Sequence, residues 1–540
     1  MRSTIVIFVC ALAGAGTLVA AETASPVQLA PDGIRGALFL GGGGDLPSGV
    51  LDEFVRRGGG KQARLVVIPT AGGDEGVRDV ERILAGWRRH DLASVEVLHT
   101  RDREEADRDS FVAPLRQATA VWFSGGQQSR LAEAFGGTLV ERELLALLNR
   151  DGVIGGTSAG AAIQSRRMIA GGNPLPQISQ GFDLLPDGVV DQHFSERKRE
   201  ARLQAAIADG PPAFGLGIDE GTAVVVEGRR LRVLGRGKAW VYLPPSPRRP
   251  LSVTGLAAGE ETDLTALRRA VRVRRQDDWP PRQPAPPRVA QGTLFIAGGG
   301  RLTPHMLASF VEAAGGPDAL IVILPTASEQ LQPDGAAERR LLEKAGARNL
   351  VVLPGRRTED VESTSSLAAL ERAGGVWFGG GRQWRFVDAY ASTRAWDAFR
   401  GVLQRGGAIG GSSAGASIQA DYLVRGSPLG NTIMMAEGYE RGFGFLPGVA
   451  IDQHFTQRRR QNDLRSVVQA HPQFLGIGID ESTALIVRGS VAEVVGEHSV
   501  WVFAAEGNEG PVVTEVPAGQ RYDLVQRSPI RQLERKTAAD

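Results

Sequence analysis

Two serines sit in glycine turns of a kind that exposes a hydroxyl for chemistry. Ser158 lies in Gly155-Gly156-Thr157-Ser158-Ala159-Gly160-Ala161, and Ser413 in Gly410-Gly411-Ser412-Ser413-Ala414-Gly415-Ala416. The first turn follows the apolar run Gly152-Val153-Ile154 and leads into Ala162-Ile163-Gln164. That pattern reads as a buried strand, a tight turn and the first turn of a helix. A serine placed there is held out of the strand beside backbone N–H groups at a helix start. Those N–H groups are donors for a developing oxyanion.

A nucleophilic serine needs a base and an acid to orient the base. The chain has seven histidines, and only His193 and His454 stand in matching surroundings, Asp191-Gln192-His193-Phe194 and Asp452-Gln453-His454-Phe455. The acid has two candidates after each histidine, Asp219 or Glu220 and Asp480 or Glu481. Neighbours on a strand point to opposite faces, so one of each pair is expected to reach the site. The chain order Ser158, His193, Glu220 differs from the serine–acid–histidine order of an α/β-hydrolase. Neither histidine has a second one at zinc-ligand spacing, so no metal and no cofactor is expected.

These residues belong to an internal repeat. Ala37-Leu38-Phe39-Leu40-Gly41-Gly42-Gly43 matches Leu294-Phe295-Ile296-Ala297-Gly298-Gly299-Gly300, and Leu65-Val66-Val67-Ile68-Pro69-Thr70-Ala71 matches Ile321-Val322-Ile323-Leu324-Pro325-Thr326-Ala327. Val121-Trp122-Phe123-Ser124-Gly125-Gly126-Gln127-Gln128 matches Val376-Trp377-Phe378-Gly379-Gly380-Gly381-Arg382-Gln383. The serine turns, the histidines and then Gly217-Ile218-Asp219-Glu220 and Gly478-Ile479-Asp480-Glu481 follow in the same order. A period this long means duplicated domains rather than a solenoid.

Within each copy, apolar runs of four to six residues end in glycines and alternate with helix-like segments. Examples of the latter are residues 48–57, 79–90 and 138–149. This argues an α/β fold, a mostly parallel sheet covered by helices on both faces. Ligands on such sheets bind at the carboxyl ends of the strands. The glycines at 41–44, 125–126 and 155–156 all fall there and should converge on one crevice. Val224-Val225-Val226 and Leu231-Arg232-Val233 read as a hairpin at the sheet edge. Residues 276–290, with five prolines between Gln276 and Pro287, read as a stiff, extended linker between domains at 34–275 and 291–526.

Composition narrows the function classes. The 540 residues hold 62 Lys+Arg and 61 Asp+Glu, a balance that points to neither nucleic acid nor a membrane surface as partner. Residues 1–21 are another matter: Arg2, an apolar run from Ile5 to Val19, then Val19-Ala20-Ala21. This reads as a secretory signal peptide cleaved before Glu22, and the run is short for a membrane span. Export to the periplasm or the medium is the expectation, with no membrane attachment after cleavage. The one cysteine, Cys10, lies inside that segment. The mature chain is then expected to have no disulfide, no thiol nucleophile and no thiolate metal site.

Basic residues follow each histidine: Arg197, Lys198, Arg199 and Arg202, then Arg458, Arg459, Arg460 and Arg465. Arginine forks suit recognition of substrate carboxylates. Taken together, Gly-Thr-Ser-Ala-Gly-Ala, the Asp-Gln-His-Phe-x-x-Arg-x-Arg-x-x-Arg-Leu run over 191–203 and Gly-Ile-Asp-Glu-x-Thr-Ala resemble cyanophycinase, which belongs with aspartyl dipeptidase in a family of serine peptidases. The resemblance covers nearly all of both copies. It implies a sandwich like that of class I glutamine amidotransferases, with serine in place of their cysteine. It implies release of β-aspartyl-arginine dipeptides from cyanophycin, a poly-aspartate backbone bearing arginine groups. It implies Ser158, His193 and Glu220 as nucleophile, base and orienting acid, and Ser413, His454 and Glu481 likewise. Gln128, Asp191, Gln192, Arg197, Arg199 and Arg202 would shape one substrate site, and Gln383, Asp452, Gln453, Arg458 and Arg460 the other. Gly126 and Ala159, and Gly381 and Ala414, would form the oxyanion holes.

The chain also departs from that family. Gln127 and Arg382 stand where an acidic residue usually precedes the glutamine, and Asp463 stands where copy one has Arg202. On that last difference copy one is expected to carry most of the activity on cyanophycin. The competing readings are a peptidase for α-aspartyl peptides and a non-catalytic tandem carboxylate receptor. The two copies are also expected to fill, within one chain, the role of a dimer.

Overall fold

The computed structural model describes residues 31–530 except 75, 76, 78, 277, 278 and 507–509. The proposed signal segment, residues 1–21, lies outside the described residues. Each copy holds a large sheet and a smaller one.

In copy one the large sheet runs Glu261–Asp263, Arg230–Gly235, Thr222–Gly228, Ile34–Gly41, Val153–Thr157, Ala120–Phe123, Arg64–Ile68, Ser94–Val97. The last five strands are mutually parallel, and the first three add on antiparallel. Period-two alternation explains why the parallel strands read as unbroken apolar runs. Leu38, Leu40, Val66, Ile68, Val121, Phe123 and Ile154 enter one core. Ala37, Phe39, Leu65, Val67, Ala120, Trp122 and Val153 enter the core on the opposite face. The helices Asp109–Gln117 and Leu139–Asn149 place Val112, Leu115, Val140 and Leu144 in the first core, and Ser48–Arg57 places Val50 and Phe54 in the second.

Copy two repeats the plan. Its large sheet is Leu350–Val352, Ile321–Leu324, Gly375–Phe378, Ala408–Ser412, Val289–Ala297, Thr483–Gly489, Val491–Gly496, Arg521–Asp523, Ser528–Ile530.

The second sheet departs from the sequence expectation of one sheet per copy. In copy one it is Ser252–Leu256, Ala239–Leu243, Phe214–Ile218, Gly188–Gln192, with the last two strands parallel. The histidine strand and the strand before the acid therefore belong to a different layer from the serine. Apolar runs alone cannot say which strands share a sheet, because both sheets are buried.

The proline-rich stretch, read from the sequence as a stiff linker, packs against both copies. Trp279 is buried with Tyr422 and Phe474 of copy two, Pro281 O accepts from Gln473 Nε2 at 3.1 Å, and Pro280 O accepts from Arg248 Nη1 at 2.7 Å. An indole left in water would forfeit the burial of a large apolar surface, so the stretch docks.

The copies meet through charged groups as well. Arg229 Nη1 donates to Asp388 Oδ2 at 2.7 Å and its Nη2 to Tyr439 Oη at 2.7 Å. Arg269 Nε reaches Asp388 Oδ1 at 3.0 Å, Arg249 Nη2 reaches Glu440 at 2.6 Å and Arg274 Nε reaches Glu437 at 2.6 Å. Arg269 and Arg274 lie on the helix Leu264–Arg275, which closes copy one. After the matching strand, copy two forms the hairpin strand Ser528–Ile530 instead, so unlike surfaces meet.

Candidate active site

Strand Val153–Thr157 ends in Ser158, whose backbone has φ 53° and ψ −111°; Ser413 after Ala408–Ser412 has 56° and −112°. A left-handed conformation at a non-glycine residue costs of order 1–3 kcal/mol and persists only where its surroundings impose it. Here Ser158 N–H donates to Gly41 O at 2.9 Å, and Ser413 N–H to Ala297 O at 3.0 Å. The helix that follows packs so tightly that a Cβ on Gly160 would stand 2.4 Å from Phe123 O. The small residues of the motif are thus steric requirements of the turn.

The histidine arrives from the second sheet. His193 N–H donates to Gly42 O at 2.6 Å and His454 N–H to Gly298 O at 2.8 Å. Gly43, at φ +105°, has no side chain because a Cβ would lie 2.2 Å from the His193 ring; Gly299 stands in the same relation to His454. In copy one His193 Nε2 is 2.9 Å from Ser158 Oγ and Nδ1 is 2.6 Å from Glu220 Oε1. In copy two the same distances from His454 to Ser413 and Glu481 are 2.9 and 2.6 Å. This geometry allows a serine to pass its proton to an imidazole whose tautomer a carboxylate holds. Burial pushes the His454 imidazole below its ordinary value, against the pull of the Glu481 hydrogen bond.

The acid candidates separate cleanly. Asp219 and Glu220 lie just past strand Phe214–Ile218. Asp219 accepts from Ser195 N–H and Oγ–H at 3.2 and 2.6 Å, from Lys238 N–H at 3.1 Å and from Trp240 Nε1 at 3.4 Å. Its lone pairs hold the histidine loop against the neighbouring strand. Asp480 does the same with Thr456, Ser499 and Trp501. With copy two silenced by Ser413→Ala, Glu220→Gln is expected to lower kcat about 10²–10⁴-fold. Asp219→Asn should lower it less, and steady-state rates showing the reverse order would reassign the acid.

The basic run behaves differently from its sequence reading. Asp191 is fully buried and takes a fork from Arg202, with Nε at 2.8 Å. Arg199 Nη1 reaches Asp191 at 3.2 Å and also the Gln192 carbonyl and side chain. Arg202 also caps Gly172 O. Asp191, Gln192, Arg199 and Arg202 therefore brace one another beneath the histidine, and Arg202 is not offered to a substrate.

In copy two Arg460 repeats the role of Arg199 on Asp452 and Gln453. The partner of Arg202 is replaced from elsewhere. Arg425, which follows Val424 as Ala170 follows Ile169, binds Asp452 at 3.0 Å and also Asp463 at 2.7 Å. Asp463 is paired with Arg425, so the charge difference read from the sequence shrinks from two units to one, +1 for Asp191, Arg199 and Arg202 against 0 for Asp452, Asp463, Arg425 and Arg460. Gln128 and Gln383 are buried, donating to Ile169 O and Val424 O. Arg197 and Arg458 remain exposed on the histidine loops.

Gly126 and Gly381 adopt φ +145° and +133°. The turn they form lies against the serine, for a Cβ on Gly125 would be 3.6 Å from Ser158 Cβ. Ala159 and Ala414 open their short helices, where N–H groups have no intrahelical acceptor.

Two contacts were not read from the sequence. Glu196 Oε1 accepts from Glu220 N–H at 3.2 Å, and Gln457 Oε1 from Glu481 N–H at 2.9 Å. The available signal was a long polar side chain three residues after each histidine. Arg425 left no signal, because its counterpart is an alanine.

Known proteins are similar to parts of this chain. Cyanophycinase of Trichormus variabilis is 34% identical over 227 residues, covering 40% of this chain and 74% of that protein. Cyanophycinase of Synechococcus elongatus is 36% identical over 228 residues, covering 38% and 67%. A crystal structure of a peptidase from an acI-B1 Actinobacterium is 22% identical, covers 43% of this chain and 97% of its own, and has a TM-score of 0.36. The pattern defining peptidase family S51 matches twice, over residues 38–234 and 294–495, and the chain therefore belongs to peptidase family S51, in two tandem copies.

Proposed function

We propose that this protein is an exported serine exopeptidase that releases β-aspartyl-arginine dipeptides from cyanophycin. The observation that carries the reading is the Ser–His–Glu hydrogen-bond chain, complete in both copies. Similarity to two cyanophycinases supports the substrate.

In this reading Ser158 Oγ attacks the scissile carbonyl while His193 Nε2 takes its proton. Glu220 stabilises the imidazolium through Nδ1–H. Ala159 N–H and Gly126 N–H receive the oxyanion. The imidazolium then protonates the leaving amine, and water, activated by the same base, releases the acyl group. Ser413, His454, Glu481, Ala414 and Gly381 do the same in copy two. Arg197 and Arg458 face the incoming peptide, and the braced Asp–Gln–Arg groups hold the base in register. The parallel strands with helices on both faces support a sandwich of the class I glutamine amidotransferase kind. The contacts between the copies support an intramolecular pseudo-dimer built from unlike surfaces.

Incubation with cyanophycin followed by mass spectrometry should yield β-aspartyl-arginine. Turnover of α-aspartyl dipeptides alone would instead favour the aspartyl dipeptidase reading. Failure of a serine-directed covalent probe to label either Ser158 or Ser413 would favour a carboxylate receptor.

The acid limb of catalysis offers a further check. The base works only when neutral, so rate is lost as pH falls through its pKa. Burial lowers His454, so copy two, isolated by Ser158→Ala, should keep more than half of its kcat/KM at pH 6.5, the ordinary histidine value. A half-maximum above pH 6.5 would contradict this.

A further inference from the structure

We propose that copy two carries an anion-recognising subsite beside its oxyanion glycine, built from Arg382, Arg385 and Arg356, and that copy one lacks it. The inference rests on reading Ser413 as a nucleophile and deepens that reading by naming the substrate group copy two selects.

Arg382 directly follows Gly381, and a Cβ on the preceding Gly380 would lie 3.7 Å from Ser413 Cβ. Its backbone N–H donates to Ala327 O at 2.8 Å. Its Nη2 donates to Ser427 O at 3.1 Å, and its Nε is buried without a hydrogen-bond partner among the described residues. A buried N–H left unpaired on a charged group is costly. Arg385, three residues on, donates to Ala327 O at 3.4 Å and lies over the Trp384 ring at 5.1 Å. Arg356 donates to Thr326 O at 3.2 Å, to Leu331 O at 3.5 Å and to Ser328 O.

Two half-buried guanidiniums, those of Arg356 and Arg385, thus gather around residues 326–328, the turn that follows strand Ile321–Leu324, and that of Arg382, held on Ser427 O, lies close enough to act on the charge of Arg385. All are held by carbonyls, and among the described residues none forms an ion pair. Burial first, then Arg356 and Arg382, works against the charge on Arg385, with Glu329 the acid that opposes them. Such a group is suited to an incoming carboxylate, which the guanidinium fork binds by paired hydrogen bonds.

Copy one differs at two of the three positions. Gln127 replaces the arginine after the oxyanion glycine. Arg101, the counterpart of Arg356, is ion-paired with Asp74 at 2.5 Å. Arg130, the counterpart of Arg385, caps Gly72 O at 2.7 Å and Ala71 O at 3.3 Å. Among the described residues, one cation without an ion pair stands where copy two has three. Copy two should therefore favour backbones with free carboxylates and disfavour those bearing guanidinium groups.

Cyanophycin and unsubstituted poly-aspartate share a backbone and differ in that feature. The test compares kcat/KM on the two polymers for Ser158→Ala, which leaves copy two, and Ser413→Ala, which leaves copy one. The ratio of poly-aspartate to cyanophycin should be at least about 10-fold higher for copy two. Adding Arg382→Gln should lower that ratio at least about 5-fold, Arg382→Lys should restore part of it, and Gln127→Arg in copy one should raise it. Equal ratios in the two copies, or a ratio that Arg382→Gln leaves unchanged, would overturn the subsite.

Calorimetric titration of oligo-aspartate into the Ser158→Ala/Ser413→Ala protein reads binding without catalysis. Arg382→Gln should weaken that binding at least about 5-fold. Such weakening without cleavage of either polymer would uphold the subsite and sink the cyanophycin reading. Unchanged binding would sink the subsite itself.

Discussion

A protein carrying both Ser158→Ala and Ser413→Ala should lose peptidase activity by about 10³-fold or more, while either single variant retains the turnover of the other copy. Removing one member of a serine–histidine–acid set typically costs several orders of magnitude, leaving only binding and oxyanion stabilisation. The two hydrogen-bond chains are superimposable in their distances, 2.9 Å to serine and 2.6 Å to glutamate in each copy. Geometry therefore assigns neither copy to silence. Alanine at either position keeps the turn, because the strained backbone is set by Gly41 O, Ala297 O and the packed helix start. Measurement of initial rates on cyanophycin and on aspartyl dipeptides, with thermal melts to show that the fold persists, decides the matter. Substantial activity in the double variant would remove both serines from the reaction.

The second large effect concerns how the copies hold together. Asp388 is buried and accepts from Arg229 at 2.7 Å, Arg269 at 3.0 Å and Tyr439 at 2.8 Å. Arg229 is also forked onto Asp263, at 2.5 and 2.9 Å. Asp388→Ala would leave Arg269 and Tyr439 buried without their anion and strip Arg229 of one of its two. Breaking a buried pair in this way costs about 3–5 kcal/mol, much of it the penalty on the groups left behind. Calorimetry should show a clear fall in the first melting transition, with the copies unfolding as separable units. Asp388→Asn, which keeps two acceptor lone pairs, should lose less. A melting profile unchanged by Asp388→Ala would mean that apolar contacts such as Trp279 against Phe474 carry the interface.

Much of the site was legible because the chain is written twice. Ser158, His193 and the Asp219-Glu220 pair recur in order at Ser413, His454 and Asp480-Glu481, and recurrence singled out two of seven histidines. Glycine patterns were legible for a steric reason: no other residue fits where a backbone meets the His193 ring or Phe123 O. The parallel strands were legible because both of their faces are buried, which forces unbroken apolar runs.

Other features depended on which side chains meet across elements far apart in the chain. Arg202 and Arg425 reach equivalent aspartates from a helix and a loop, respectively. A guanidinium can satisfy a buried carboxylate from any element within reach, so sequence position does not reveal the partner. Asp219 and Glu220 are chemically similar neighbours, and only the donors around Asp219 remove it from the proton path. The arginine after Gly381 was visible in the sequence. That Arg356, from the end of another strand, joins Arg382 and Arg385 with no ion pair among the described residues was decided by the tertiary structure, because strand order in the sheet sets which loops meet.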